Sequence, residues 1–86
     1  MKVQIGTQVH AESLNGETLL LEMDSGQFYG LDEVGSRIWQ LLSELGSTDA
    51  VVDVAFEEYD VDRAKMTQDV ETLVQLLSER GLVTVT

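Results

Sequence analysis

Residues 24–42 constrain this chain more than any other segment, because they set a turn, a strand and a helix in direct succession. Asp24, Ser25 and Gly26 form a turn signal. Gln27, Phe28, Tyr29, Gly30 and Leu31 follow as a short, uncharged, aromatic-bearing stretch that reads as a strand. Asp32 is placed to cap a helix whose Val34, Ile38, Leu41, Leu42 and Leu45 recur at helical spacing. Sheet edges are normally blunted with lysine or proline, and this strand has neither. The 86 residues contain no proline at all. A strand left so unguarded looks like a place where another chain pairs.

The flanking segments fill out a fold around it. Val3, Ile5 and Val9 alternate with polar residues in a first strand or extended arm. Asn15 and Gly16 make a strong hairpin-turn dipeptide. Residues 18–23, with Leu19, Leu20 and Leu21, form a second strand too apolar to lie with one face fully in water. Residues 27–31 return antiparallel as the third. Gly46 ends the first helix after Leu45, and Ser47 or Thr48 caps a second that reaches Tyr59. Asp60 or Asp62 opens a third helix over about residues 63–80. Its Met66, Val70, Leu73, Val74, Leu76 and Leu77 cover an arc wider than one core-facing stripe needs. Gly81 stops it, and Leu82 to Val85 form a short final strand or apolar tail. The order β-β-β-α-α-α-β predicts an α+β winged helix-turn-helix: a three-stranded antiparallel sheet followed by three helices, one domain over residues 1–86.

Charge argues against one large class of partners. Five basic residues against 16 acidic ones give a net charge of −11. Nucleic-acid affinity rests on neutralising phosphates with Lys and Arg. Lys2, Arg37, Arg63, Lys65 and Arg80 are scattered and make no stripe. The expectation is no nucleic acid and a basic or neutral partner, with plain solubility as the alternative reason for the acidity. There is no cysteine and a single histidine, His10, and no acidic cluster has EF-hand spacing. No metal and no cofactor are therefore expected. The N-terminus resembles neither a signal nor a transit peptide, and no apolar run approaches ~18 residues. A soluble, cytoplasmic protein with no membrane contact is the default.

Candidate chemistry is sparse. Ser25 follows an aspartate, as in the modified serine of acyl carriers, but it sits between two strand-like segments with Gly26 next, so a turn residue is the simpler reading. His10 has no neighbouring nucleophile or second histidine. Glu57, Glu58, Asp60 and Asp62 lie at helix ends, where capping and solvation account for them. No catalytic constellation emerges, and a non-enzyme is expected. Trp39 reads as core beside Ile38, and Gly30 and Gly35 as positions allowing close approach or tight packing. If part of the third helix's apolar arc stays exposed, it forms one wall of a groove whose other wall is residues 27–31. Exposed apolar surface of that size marks an interaction site.

The same residues carry a resemblance. Gly26, Gln27, Phe28, Tyr29, Gly30 and Leu31, then Val34, Gly35, Ile38, Trp39, Gln40, Leu41 and Leu42, resemble the signature of PqqD-like proteins, the RiPP recognition elements. Asp69, Val70, Leu73 to Leu77, and Gly81, Leu82 and Val83 are similar to that family's last helix and its exit. The likeness spans about residues 3–85 and is greatest to the free-standing leader-binding proteins of lasso peptide gene clusters. It implies that the leader of a ribosomally made precursor peptide lies antiparallel along the third strand, with main-chain bonds to Gln27, Phe28, Tyr29, Gly30 and Leu31. It also implies an apolar pocket of Val70, Leu73, Val74 and Leu77, rimmed by Asp69, Leu76 and Arg80. Lasso leaders resemble a Tyr-x-x-Pro pattern, which suits an aromatic pocket. The partners implied are the precursor leader, a transglutaminase-like cysteine leader peptidase, and a lasso cyclase. A chaperone for another peptide-modifying enzyme, or an unrelated adaptor, remains the alternative.

Overall fold

The computed structural model describes all 86 residues, and two tight turns organise its sheet. Strand β2 (Val9–Leu14) and strand β3 (Glu17–Glu22) are joined through Asn15 and Gly16, whose φ values of 55° and 82° lie in the left-handed region. That geometry matches the right-handed twist of the flanking strands, and an Asn-Gly pair reaches it at least cost. Strand β4 (Phe28–Leu31) then pairs with β3 in the register Thr18 to Leu31 and Leu21 to Phe28. The sheet order is β2-β3-β4, all antiparallel, so β3 is central and β2 and β4 are edges.

The N-terminal strand has a different partner from the one its sequence suggested. Strand β1 (Val3–Ile5) pairs antiparallel with β5 (Val83–Val85) in a separate two-stranded sheet. The first strand of the main sheet is β2, most of which has no apolar alternation. The physical reason is exposure: nearly all side chains of β2 stay in solvent, so no burial imposes an alternating pattern on it.

Three helices follow the sheet without interruption. In α1 (Glu33–Leu45), the Asp32 carboxylate accepts the Gly35 N–H at 2.8 Å, and Gly46 ends the helix at φ 68°. A Cβ at Gly35 would lie 3.4 Å from Leu31, so this glycine lets the helix start seat tightly against β4. Helix α2 (Thr48–Glu58) stops one residue short of the expected end, with Tyr59 as its C-cap. Helix α3 (Arg63–Glu79) likewise ends one residue early, with Arg80 as its C-cap. The chain is an α+β winged helix-turn-helix.

One apolar core joins these elements. Leu20 of β3 and Leu31 of β4 meet Ile38, Trp39 and Leu42 of α1, Val51 and Ala55 of α2, and Met66, Val70, Val74 and Leu77 of α3. Arg37 grips Glu58 in a two-pronged ion pair, Nε to Oε1 and Nη2 to Oε2, each 2.8 Å, which ties α1 to α2. The guanidinium holds the Glu58 carboxyl below the usual carboxylate range, and burial pushes the neighbouring Tyr59 hydroxyl up.

Candidate functional site

Backbone pairing along β4 identifies which of its polar groups are free. The Glu22 N–H donates to the Gln27 carbonyl at 2.8 Å, so these residues form a hydrogen-bonded pair. Such pairs alternate along an antiparallel ladder. Tyr29 and Leu31 therefore turn their N–H and C=O toward β3, opposite Leu20 and Thr18, whereas Phe28 and Gly30 turn theirs away. No strand of this chain covers that side. Side chains follow the pleat: Tyr29 and Leu31 share the helix-covered face with Leu20, while Phe28 stands on the outer face and is 66% exposed.

The turn before β4 is pinned rather than loose. The Glu22 carboxylate accepts the N–H groups of Asp24 (3.0 Å) and Ser25 (2.8 Å). The Ser25 hydroxyl first, and then these two amides, hold the Glu22 carboxyl below its ordinary value. Ser25 also accepts the Gln27 N–H at 3.3 Å. Its place is that of a turn residue aiming the edge strand.

Between the open edge and α3 runs a groove with two recesses. The first, about 500 Å³, is walled by Leu31 of β4, Val34 and Ile38 of α1, and Leu73 of α3, with Asp32 and Asp69 also lining it. The second, about 370 Å³, continues over Lys65, Thr72 and Leu76. Tyr29, Asp69 and Leu73 belong to both and form the saddle between them. The Arg80 guanidinium lies over the Tyr29 ring, and Lys65 Nζ reaches both Asp69 oxygens at 3.1 Å. A larger recess of about 640 Å³ lies elsewhere, between the β2–β3 hairpin and α1. Arg37 lines it, but its guanidinium is already engaged by Glu58 and Gln40.

The structure gathers Tyr29, Gly30, Leu31, Asp69, Leu73 and Leu76 in the groove, with Arg80 stacked at Tyr29. Gln27 precedes the strand and contributes its carbonyl to the ladder with β3. Val70, Val74 and Leu77 depart from expectation. They were expected on the groove wall, yet each is at most 1% exposed and packs in the core. Two adjacent stripes exist on α3: 66, 70, 74 and 77 face inward, and 65, 69, 73, 76 and 80 border the groove. Asp32, Val34, Ile38 and Lys65 are groove residues that sequence reading missed. The continuation of α3's outer stripe back to position 65 was the available signal for the last of them.

A winged helix-turn-helix with one vacant sheet edge beside a half-apolar groove defines a recognition module. The profile described as coenzyme PQQ synthesis protein D (PqqD) matches residues 17–83. The chain belongs to the PqqD family, as a PqqD-like RiPP recognition element. Among solved structures it is similar to "TbiB1 in Complex with the TbiA(beta) Leader Peptide", at 34% identity over 96% of each chain and a TM-score of 0.90. It is also similar in fold to "Lasso peptide synthetase B1 complexed with the leader peptide", at 24% identity over 99% of this chain and 100% of that one, TM-score 0.87. No curated protein matches the chain significantly. No helix is long and apolar enough to cross a membrane.

Proposed function

We propose that this protein binds the leader of a ribosomally made precursor peptide and presents it to the leader peptidase and cyclase of lasso peptide maturation. The leader adds as an antiparallel strand to β4, bonding the outward N–H and C=O groups of Phe28 and Gly30. Its alternate side chains enter the groove toward Leu73 and Leu76 of α3. Ladder bonds give affinity that is blind to sequence, and the recesses give selectivity. The observation that carries this reading is the vacant β4 edge lying directly beside the two recesses. The 34% identical relative, which was solved with a leader peptide, supports it.

In this reading the protein is non-catalytic and cytoplasmic, and its partners are the precursor leader, a transglutaminase-like cysteine peptidase and a lasso cyclase. Nucleic acid is not among them, because Asp69, Glu71 and Glu79 place negative charge on the helix that would have to meet phosphate. Fluorescence anisotropy with a labelled leader from the neighbouring precursor gene is the direct test. Saturable binding is expected. No binding to that leader, with a correctly folded protein, would overturn the proposal. The family's description as a coenzyme PQQ synthesis protein favours a second reading, a peptide chaperone for a different peptide-modifying enzyme. A gene neighbourhood holding a peptidase, an asparagine-synthetase-like cyclase and a short precursor selects the lasso reading over it.

A further inference from the structure

The groove's charge narrows the chemistry of the peptide it takes, given the strand-addition reading above. Two carboxylates, Asp32 and Asp69, line the first recess, and no basic side chain of the protein does. Asp32 engages Oδ1 with the Gly35 N–H, which leaves its second oxygen for another donor. Asp69 is met only by Lys65, an exposed pair four residues apart on one helix, with the lysine preceding the aspartate. That order opposes the helix dipole and makes the pair a weak competitor. The remaining walls, Leu31, Val34, Ile38 and Leu73, are apolar. Apolar walls around like charges focus the potential inside a cleft, and the whole chain carries −11.

We propose that the groove selects leaders carrying a lysine or arginine at a groove-facing position, where the cation pairs with Asp69 and Asp32. Side chains on one face of an added strand recur every second residue, about 7 Å apart. The recognised pattern is therefore a basic residue with large apolar residues two positions away, the latter filling the recesses on either side of the Tyr29 saddle. Asp69 is then a specificity-determining residue, and Lys65 is the internal cation that the leader displaces.

The test uses the full-length protein and a displayed library of random 12-residue peptides, with one selected peptide carried into anisotropy measurements. Enrichment of Lys or Arg two residues from large apolar positions is expected. Affinity should drop about tenfold with Asp69→Asn, less with Asp32→Asn, which still caps the helix, and not at all with Glu71→Gln. The last variant removes the same charge from an exposed site that does not line the groove. Binders that are weakened by Gly30→Pro and Leu73→Ala but show no basic preference and ignore Asp69→Asn overturn the inference and leave strand addition standing. Binders indifferent to Gly30→Pro and Leu73→Ala, or no binders at all, remove both.

Discussion

Arg80, the C-cap of α3, holds its guanidinium 5.2 Å from the ring centroid of Tyr29 on β4. The two walls of the groove are thus joined by one contact at the residue that separates its recesses. Burial alone does not hold Tyr29 in place, since the ring is only half-buried.

Removing that stack should be felt modestly in stability. An exposed cation–π contact contributes about 0.5–1 kcal/mol, and in a domain this small 1 kcal/mol moves Tm by roughly 4–8 °C. Arg80→Ala is expected to lower Tm by about 2–8 °C, with Arg80→Lys in between. A thermal melt of Arg80→Ala that overlays the wild type would show that the stack does no holding.

The two stripes of α3 should respond in opposite ways. Leu77 is fully buried, and Leu77→Ala is expected to cost about 2–5 kcal/mol, a large part of a small domain's stability. Leu73 is half-buried on the groove wall. Leu73→Ala should shift the denaturant midpoint clearly less than Leu77→Ala, because Leu73 packs on the core only in part. It should weaken leader binding about tenfold, the scale of one apolar side chain losing its buried partner. A Leu73→Ala variant that unfolds easily yet binds normally would place Leu73 in the core rather than the site.

How much of this was legible beforehand depended on where the apolar residues fell. The helices were readable because Asp32, Gly46 and Gly81 punctuate them and their apolar periodicity is strong. The edge strand was readable because residues 27–31 carry no charge between a turn and a cap. Strand β2 was not, because its side chains stay exposed and no burial imposes a pattern on them, and only the Asn15-Gly16 turn marked its end. On α3, periodicity showed a wide arc but could not divide it. Val70 and Val74 differ from Leu73 in which neighbour they face, and that neighbour is set by the helix's rotation against β4 and α1. The contribution of Val34 and Ile38 to the groove was hidden for the same reason.

Two depressed carboxylates make stability fall at acid pH. Glu22 is held down by Ser25 and the turn amides, and Glu58 by Arg37. A lowered folded-state value means stability that is fully present above the unfolded carboxylate value, ~4.3 for glutamate. It is lost as pH falls through the lower folded value. Wild-type Tm should therefore decline below about pH 4.3, and Glu58→Gln and Glu22→Gln should each start lower at pH 7 and decline less. Both groups are solvent-exposed, so each contribution is small. Parallel pH profiles for variants and wild type would assign the acid sensitivity to other carboxylates.

The vacant edge is best tested by separating outward from inward backbone donors. Gly30 turns its N–H away from β3, its φ is not in the left-handed region, and a Cβ built there meets nothing within 4 Å. Proline at this position removes a donor that no part of this chain uses, and it restricts Tyr29 to the extended conformation that a strand residue already has. Tyr29, by contrast, pairs with Leu20 inside the sheet. Gly30→Pro should keep the wild-type circular dichroism spectrum and bind leader about threefold to tenfold more weakly, the scale of one net hydrogen bond. Tyr29→Pro should disturb the β3–β4 pairing itself and lower Tm. A folded Gly30→Pro protein with unaltered leader affinity would move the peptide off β4 altogether, since an added strand has no other way to register on this edge than through Phe28 and Gly30.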